Sequence, residues 1–333
     1  MCSAFIPVIH SIPSGEALIE NVLCNYQIEK PLSCRLYKRG LNDTYLVETD
    51  RDRYILRVYR RGWRTLEAIN FEVELLAFLH NHKMPVAYPL QSNSGSFTQA
   101  IEAPEGRRYA TLFSYAPGKA VNEKLNSEQS RRLGEVLANI HLATDDFKSR
   151  FNRPALNYEY LLERSLNIIA PLFKDRVDDL DYLQKQTEKI KMQLEVLKLP
   201  LSAPVYGICM GDVHSGNAHF TETDEPTLSD FDQCGYGWRA FDIGKFMHVT
   251  YAWKMNSEVR KPFLDGYQTI RKLSEDELAS IPIFTKVAHI WVMGINCEAV
   301  GDVLPYGWFT DDWLDSKLAL LGQLSSDNFD IYT

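Results

Sequence analysis

The segment from residue 205 to residue 244 constrains the fold more than any other part of the chain. It alternates short apolar stretches with glycine, aspartate and proline, and it contains GDVHSGN (211–217) and SDFD (229–232). This pattern is typical of short strands joined by functional loops, not of one long element. A polar turn has no reason to require the second group of aspartates, so we interpret both sequences as parts of one site.

Three side chains in this segment match the needs of phosphoryl transfer. The reaction needs a carboxylate to receive the proton of the acceptor hydroxyl, and oxygen ligands that hold Mg²⁺ against the nucleotide phosphates. We therefore predict Asp212 as the catalytic base, and Asn217 and Asp230 as metal ligands. His214 lies inside the loop and is predicted to orient Asp212 or the loop backbone, so Asp212, Asn217 and His214 form the predicted catalytic group.

Upstream of this segment, the pattern predicts strands and one helix. Residues 35–59 alternate apolar and polar positions around a polar turn, which predicts a β-hairpin with Arg57 on one face. The sequence INFEVELLAFLH (69–80) has apolar residues at helical spacing, with Glu72 near the edge of that stripe. Residues 107–118 predict a strand that ends at a Pro-Gly break, which we interpret as a boundary between two lobes.

After this break, most of the chain is predicted to be helical. Asn126 and Gln129 have the spacing of a capping box, and the helix that they begin continues to His141, which we interpret as a packed structural histidine. Ser274 and Glu277 predict a second capping box. The expected fold class is α+β, with a small β-rich part before a larger, mainly helical part.

Composition argues against several classes of partner. The chain has 36 Lys and Arg against 44 Asp and Glu, a net charge of -8, which disfavours general nucleic-acid binding. Its six cysteines show neither a CxxC pair nor zinc-ligand spacing, so we expect reduced thiols. The apolar runs fall short of the roughly 18 residues that span a bilayer. We therefore expect a cytoplasmic protein with neither a membrane nor a nucleic-acid partner.

These motifs resemble the aminoglycoside phosphotransferase and choline kinase family. GDVHSGN followed by SDFDQCGYGWRAFDIG is similar to that family's HGDxHxxN, then IDFD or IDxE, then a distal Asp, here Asp242. The predicted hairpin and helices come in the family's order, so the resemblance covers about residues 35–320. Within the family, YILRVYRRGWRTLEAINFEVELLAFLHNHKMPVAYPL is most similar to bacterial stress-response Ser/Thr kinases and type II homoserine kinases.

The resemblance implies a protein-kinase-like bilobal fold that uses ATP and Mg²⁺. Residues 1–115 would form an N-terminal nucleotide-binding lobe, and 116–333 a C-terminal catalytic and acceptor-binding lobe. ATP would lie between the lobes, with Arg57 paired to Glu72 and adenine held by the connector backbone. The residues implied in nucleotide binding are Gly40, Asn42, Arg57, Glu72, Ser114 and Ala116.

The sequence departs from the family pattern at two positions. Arg57 replaces the usual lysine, although its guanidinium can still contact phosphate and carboxylate together. Met210 replaces the usual histidine two residues before the base, and a thioether cannot donate a hydrogen bond to the loop. The turn RGLNDT also has a single glycine, so a phosphate-cradling loop is not evident from the sequence.

We expect a kinase that acts on a hydroxyl group. The acceptors implied are a protein Ser/Thr side chain, homoserine or another amino alcohol, or an aminoglycoside-like antibiotic, and the sequence does not choose among them. Nor does it give the preference for ATP over GTP or the oligomeric state. The alternatives are a nucleotide-binding pseudokinase that serves as an interaction module and a metallophosphoesterase. The second needs an upstream D-x-H pair, which the chain lacks before residue 210.

Overall fold

The computed structural model describes residues 6–173, 175–300, 304, 306–326 and 330–331. The chain divides into two compact units. The N-terminal unit consists of Met1–His80, Ala87–Tyr115 and Ser149–Arg153, and the C-terminal unit of Asn81–Val86, Ala116–Lys148 and Pro154–Thr333. The nucleotide-binding and catalytic roles expected of 1–115 and 116–333 stay predictions.

The N-terminal unit is built on an antiparallel sheet of five strands. Its strands are β1 (Ser33–Arg39), β2 (Asp43–Glu48), β3 (Arg53–Tyr59), β4 (Thr98–Ala103) and β5 (Gly106–Ser114), in the spatial order β1-β2-β3-β5-β4. The predicted hairpin is therefore a three-stranded meander, because a tight turn at 40–42 divides its first arm. Strand β4 was not predicted, since its residues alternate only between half-buried and exposed positions at the sheet edge.

Two helices cover this sheet. Helix α1 (Gly15–Asn21) and helix α2 (Leu66–Asn81) bury apolar side chains at helical spacing. The predicted stripe on α2 is confirmed, because Phe71 and Leu75 are at most 1 % exposed. The helix ends before the segment that contains Pro85 and Pro89, as a residue without a backbone N–H requires.

The C-terminal unit is mainly helical. Its helices are α3 (Ser127–Ala143), α4 (Arg164–Ile169), α5 (Val177–Leu197), α6 (Ala240–Ala252), α7 (Arg260–Ile270), α8 (Glu275–Ala299) and α9 (Asp311–Leu324), and a π-helical turn at Glu159–Glu163 precedes α4. Both predicted capping boxes form, at Asn126 with Gln129 and at Ser274 with Glu277. These boxes satisfy the backbone N–H groups that a helix start leaves without partners.

Helix α8 is long and apolar enough to cross a membrane by length and composition. An 18-residue window of Glu275–Ala299 has a mean hydropathy of 1.5, although polar residues interrupt its apolar runs. Two thirds of that window, 67 %, is buried inside the protein. The burial accounts for the composition, because a helix surrounded by other elements needs apolar side chains on most of its faces.

Short strands interrupt the helical unit where the sequence predicted functional loops. Strands β7 (Tyr206–Cys209) and β10 (Gly235–Trp238) pair antiparallel, and β6 (Lys119–Ala120), β8 (Ala218–Phe220) and β9 (Pro226–Leu228) form a second small sheet. The loop from β7 to β8 contains GDVHSGN, and the loop from β9 to β10 contains SDFD. The two small sheets thus bring both motifs to one part of the unit.

Candidate active site

The catalytic loop, residues 210–217, leaves strand β7 through a glycine that no other residue could replace without strain. Gly211 has φ +84°, and a Cβ atom built on it would lie 2.1 Å from the carbonyl oxygen of Gln233. L-residues rarely adopt this φ, and the approach to Gln233 excludes any side chain. The backbone therefore turns sharply directly before Asp212.

Asp242, at the start of α6, holds this turn in place. Its Oδ2 accepts a hydrogen bond from the Met210 N–H at 2.7 Å, and its Oδ1 accepts one from the Gly211 N–H at 2.8 Å. All three residues are buried. These two bonds fix the backbone that leads directly into Asp212.

His141 of α3 completes the support behind the loop. Its Nε2 lies 3.0 Å from Asp242 Oδ2, and its Nδ1 lies 2.8 Å from the Tyr267 hydroxyl. Burial lowers the pKa of His141 to about 4, so the imidazole is neutral near pH 7 and donates from Nε2 to the aspartate. His141 is thus a packed structural histidine, as predicted. A histidine from α3 thus supports the loop indirectly, through Asp242, even though Met210 replaces the usual histidine.

The two carboxylate oxygens of Asp212 have different surroundings. Oδ1 lies 2.7 Å from the Lys245 ammonium, whereas Oδ2 lies 3.5 Å from His214 Nε2 and 3.4 Å from Asn217 Nδ2. Burial alone would raise the pKa of the carboxyl, but Lys245 and His214 outweigh it and hold that pKa well below its usual range. The side chain stays 30 % exposed, so a carboxylate anion with one strongly held oxygen reaches the surface of the unit.

His214 is fixed by the loop that contains it. Its Nδ1 accepts a hydrogen bond from the Gly216 N–H at 3.0 Å, which leaves Nε2 to carry a proton toward Asp212. Trp253, at the end of α6, packs edge-on against the imidazole with ring centroids 5.0 Å apart. The contacts agree with the predicted orienting position of this residue beside Asp212, while its catalytic role stays a prediction.

Asn217 and Asp230 are brought together by backbone contacts. The side-chain N–H₂ of Asn217 donates to the Asp212 carbonyl at 3.0 Å, so its amide oxygen points away from that bond. The Ser229 N–H donates to the Asn217 carbonyl at 2.8 Å, which places the next residue, Asp230, beside Asn217. Asp230 has φ +62°, a conformation that non-glycine residues adopt mostly at turns and functional sites.

This pair offers an amide oxygen and a carboxylate, which are ligands suited to Mg²⁺. Throughout the described ranges, no group of three or more His, Cys, Asp and Glu side chains could hold a metal ion. A site of two protein ligands leaves positions for phosphate oxygens and water, as Mg²⁺ sites commonly do. The described ranges therefore do not contain the ligand set of a dinuclear metallophosphoesterase.

Lys245 is a residue of the site that the sequence analysis did not identify. It is 2 % exposed, and Asp212 is its ion-pair partner. The available signal was its position in FDIGKFMHV, where a lysine stands one helical turn after Asp242 in an otherwise apolar stretch. A buried ammonium needs an anionic partner, but the spacing of residues within one helix does not identify that partner.

In the N-terminal unit, Arg57 and Glu72 form the ion pair that was expected. The Arg57 Nη1 lies 2.8 Å from Glu72 Oε1, and the Tyr59 hydroxyl donates to Glu72 Oε2 at 3.3 Å. The two charged residues are 8 % and 1 % exposed. The guanidinium also faces the Phe113 ring, 5.3 Å from its centroid. Nucleotide binding by this pair stays a prediction.

Of the remaining residues expected to bind nucleotide, Gly40 and Asn42 lie in the turn between β1 and β2. Gly40 N–H donates to the Asn42 carbonyl at 3.2 Å, and the Asn42 side chain accepts from the Arg60 N–H at 3.1 Å. A Cβ on Gly40 would meet nothing closer than 4.0 Å, so the turn does not itself require glycine. The Asn42 side chain stabilises the turn against the end of β3.

Ser114 and Ala116 already have protein partners. The Ser114 N–H donates to the Tyr88 carbonyl at 2.9 Å, and the Ser114 hydroxyl accepts from the Tyr88 N–H at 3.0 Å. The Ala116 carbonyl lies 2.9 Å from His219 Nδ1. An adenine contact from this segment therefore has to use other backbone groups than these.

Comparison with known sequences places the chain in a family. The model of the phosphotransferase enzyme family (APH) matches residues 35–277. A protein of Synechocystis sp. is 41 % identical over 98 % of this chain and 90 % of its own length. An amicoumacin kinase of Bacillus subtilis is 26 % identical, covering 86 % of each chain, and a homoserine kinase of Phenylobacterium zucineum is 25 % identical over 82 % of this chain and 81 % of its own.

Comparison with solved structures shows the same fold. The structure of an amicoumacin kinase in complex with AMP-PNP and Ca²⁺ has a TM-score of 0.79 at 22 % identity, covering 95 % of this chain and 96 % of that one. A microcompartment-associated aminopropanol kinase has a TM-score of 0.74 at 19 % identity, covering 92 % and 94 %. The predicted family, its kinase-like fold and the likeness to homoserine kinases are confirmed, and the pseudokinase alternative finds no support. The chain belongs to the aminoglycoside phosphotransferase family of phosphotransferase enzymes.

Proposed function

We propose that this protein transfers the γ-phosphate of ATP, with Mg²⁺, to a hydroxyl group of a small molecule, and that Asp212 is the catalytic base. One observation carries the proposal. Asp212 Oδ1 is held 2.7 Å from Lys245, while Oδ2 has only contacts of 3.4 Å and 3.5 Å on a side chain that is 30 % exposed. Oδ2 is thus the oxygen that can accept the proton of an acceptor hydroxyl.

In the proposed reaction, the acceptor hydroxyl donates a hydrogen bond to Asp212 Oδ2. A bond forms between the acceptor oxygen and the γ-phosphorus, the bond from that phosphorus to the bridging oxygen of ADP breaks, and the hydroxyl proton passes to Oδ2. His214 and Asn217 restrict the rotation of the carboxylate from the side of Oδ2. Holding the base and the acceptor in line supplies much of the rate gain in such transfers.

Asn217 and Asp230 would hold the Mg²⁺ ion. The donor set fits, because the amide group of Asn217 is turned so that its nitrogen bonds Asp212 and its oxygen is left for a hard cation. When bound, Mg²⁺ would neutralise the negative charge that develops on the transferred phosphoryl group. The backbone of Asp230, two residues after strand β9, is in the left-handed conformation.

Lys245 has a separate task in this scheme. A carboxylate beside a nucleotide polyphosphate experiences like-charge repulsion, and the ammonium 2.7 Å from Asp212 offsets it. Arg57 is proposed to contribute to nucleotide binding while paired with Glu72, as an arginine fork can serve a carboxylate and a phosphate at once. ATP as the donor is supported by the AMP-PNP complex of the amicoumacin kinase structure.

The names of the relatives favour a small-molecule acceptor over a protein Ser/Thr side chain. They are kinases of amicoumacin, homoserine and aminopropanol. Homoserine and aminopropanol each combine a hydroxyl with an amine, and we propose an acceptor of this amino-alcohol type. An aminoglycoside-like compound is the other small-molecule acceptor that we consider.

The test is phosphoryl transfer from labelled ATP to a panel of hydroxyl compounds. The panel contains amino alcohols, hydroxy amino acids, aminoglycosides and a Ser/Thr peptide mixture, and Asp212→Ala protein serves as the blank. Loss of the base should lower kcat by about 10²–10⁴-fold with ATP affinity retained. Equal transfer by both proteins would remove Asp212 as the base. Transfer confined to the peptide mixture would overturn the small-molecule acceptor.

A further inference from the structure

A cavity in the C-terminal unit is lined by an unusual set of charges. Its volume is about 1010 Å³, and it lies between the end of α6, the start of α7 and α9. Among the described residues, three cationic side chains line it, those of Lys254, Arg260 and Lys317, against the single acidic residue Asp330. A chain with a net charge of -8 has no general excess of cations that would put three in one cavity.

Arg260 is the central observation. It is 5 % exposed, its Nε donates to the Thr250 hydroxyl at 3.0 Å, and its Nη1 donates to the Tyr251 hydroxyl at 2.8 Å. The guanidinium also stacks on the Tyr251 ring, 3.7 Å from its centroid. Throughout the described part of the chain, no carboxylate pairs with it. Buried charges in proteins are normally paired, so a buried guanidinium that lines a cavity and has no carboxylate partner among the described residues indicates an anionic ligand.

The other two cations of the cavity, like Arg260, have no acidic partner among the described residues. Lys317 is half-buried and faces the Trp313 ring at 5.4 Å, and burial lowers the pKa of its ammonium. Lys254 is exposed beside it in the lining, and neither lysine has an ion-pair partner among the residues that the structure describes. A planar guanidinium with fixed hydrogen bonds is suited to bidentate recognition of a carboxylate, and the lysines add charge around it.

The cavity and the catalytic loop are connected through helix α6 and the residue that follows it. Trp253 contacts His214 of that loop with ring centroids 5.0 Å apart, and its neighbours in sequence, Ala252 and Lys254, line the cavity. Helix α6 contributes Lys245, near its middle, to the Asp212 ion pair, and Thr250 and Tyr251, near its C-terminal end, to the cavity. One helix therefore connects the base to the cluster of cations.

We propose that this cavity binds an anionic group of the phosphoryl acceptor, a carboxylate held by Arg260, with Lys317 and Lys254 around it. The inference rests on the proposed function and narrows it, because it selects hydroxy acids and hydroxy amino acids over acceptors that are purely cationic. Arg260 is in this scheme the residue that determines specificity, and Asp212 remains the catalytic one.

The experiment compares two acceptors that differ by one group. Homoserine and 3-aminopropan-1-ol share the hydroxyl, the three-carbon chain and the amine, and only homoserine has a carboxylate. A charge-assisted bond is worth about 1.5–3 kcal/mol, so kcat/KM should be at least about tenfold higher for homoserine. The same pairing is repeated with other hydroxy acids and their decarboxylated analogues.

Variants test whether the preference for the carboxylate acceptor arises in the cavity. Arg260→Met should raise KM for the carboxylate acceptor by about tenfold or more, with kcat nearly unchanged and the decarboxylated acceptor unaffected. Lys317→Met is the second variant, should the buried arginine prove necessary for folding, and it should shift KM in the same direction. The matched control is Lys261→Met, on the same helix α7, whose exposed ammonium pairs with Asp265 at 2.6 Å and does not line the cavity.

Binding is measured independently through the melting temperature. Homoserine should stabilise the wild type and not Arg260→Met, whereas 3-aminopropan-1-ol should stabilise neither. Equal kcat/KM for the paired acceptors in the wild type, or a preference that persists in both cavity variants, would overturn the inference and leave the proposed function intact. Stabilisation by inorganic phosphate or acetate together with an unchanged acceptor preference in Arg260→Met would show a site for free anions, which also overturns it. Absence of transfer to every hydroxyl compound would defeat the proposed function instead.

Discussion

Lys245 and Asp212 form an ion pair in which the ammonium lies 2.7 Å from Oδ1 and is itself 2 % exposed. The pair joins the second turn of helix α6 to the catalytic loop. Its geometry divides the carboxylate into one oxygen that is bound within the protein and one that is available to an acceptor. The first prediction concerns the consequence of removing the ammonium.

Replacing Lys245 with Met or Gln should lower kcat by at least about a hundredfold, because the carboxylate loses both its fixed rotamer and the charge that offsets the phosphates. The KM for ATP should change little. Lys286→Met is the matched control, since Lys286 is also a buried lysine of the C-terminal unit, 9 % exposed, and its ammonium contacts only Gln193 at 3.2 Å among the described residues. Steady-state kinetics measure both constants. A Lys245→Gln enzyme with the kcat of the wild type would contradict the proposed role of the ammonium.

Asp230→Asn should reduce turnover by at least about a hundredfold and raise the Mg²⁺ concentration needed for half-maximal rate, because a neutral amide binds the cation more weakly. Asparagine tolerates the left-handed backbone, so the fold should be kept. Asp224→Asn is the control, as Asp224 also has a positive φ, +60°, and lies outside the proposed metal site. Full activity of Asp230→Asn at ordinary Mg²⁺ would argue against the metal assignment.

Arg57→Lys should keep nucleotide binding measurable, with a moderate rise in the KM for ATP, since one positive charge remains beside Glu72. Arg57→Met should instead cost about 3–5 kcal/mol of stability, because Glu72, 1 % exposed, is left without its charged partner. Urea unfolding and ATP titrations separate the two effects. If Arg57→Met were as stable as the wild type and bound ATP equally well, the pair would be neither structural nor nucleotide-binding.

The buried histidines His141 and His289 predict that the protein becomes less stable in weak acid. Burial lowers the pKa of each from 6.5 to about 4, so between these pH values the unfolded chain binds more protons than the folded one. The free energy of unfolding is therefore complete above pH 6.5 and falls as the pH drops, by up to about 1.4 kcal/mol per pH unit for each histidine. Urea unfolding between pH 7.5 and pH 5 measures the slope.

His141→Gln should reduce that slope, because one of the proton-binding differences is removed. His82→Gln, at an exposed position of the C-terminal unit, should leave the slope unchanged. A wild-type stability that stays constant over this pH range would show that neither imidazole is held in its neutral form.

The features that the sequence revealed are those that depend on residues close together in the chain. The capping boxes at Asn126 and Ser274 are local hydrogen-bond patterns, and both form. The loop spacing also named Asp212, Asn217 and Asp230, because the turn between β7 and β8 and the turn after β9 each depend on a few neighbouring residues. Their roles await the experiments above.

The features that could not be predicted from the sequence are contacts between distant segments. Lys245 is 33 positions from Asp212, and nothing in its own helix specifies that partner. Arg260 and Lys317 reach one cavity from α7 and α9, and their lack of acidic partners is visible only when all neighbours are known. The apolar composition of α8 also depends on distant segments, since the elements around it bury most of its window.

The support beneath Met210 matters for how kinase-like genes are sorted. Met210 cannot donate a hydrogen bond to the loop, yet Asp242 bonds two successive backbone N–H groups of the loop and is itself bonded by His141 from another helix. Activity in such chains is therefore better judged from this aspartate and its histidine partner than from the residue at position 210. A gene search that requires a histidine at that position would pass over every chain with this arrangement.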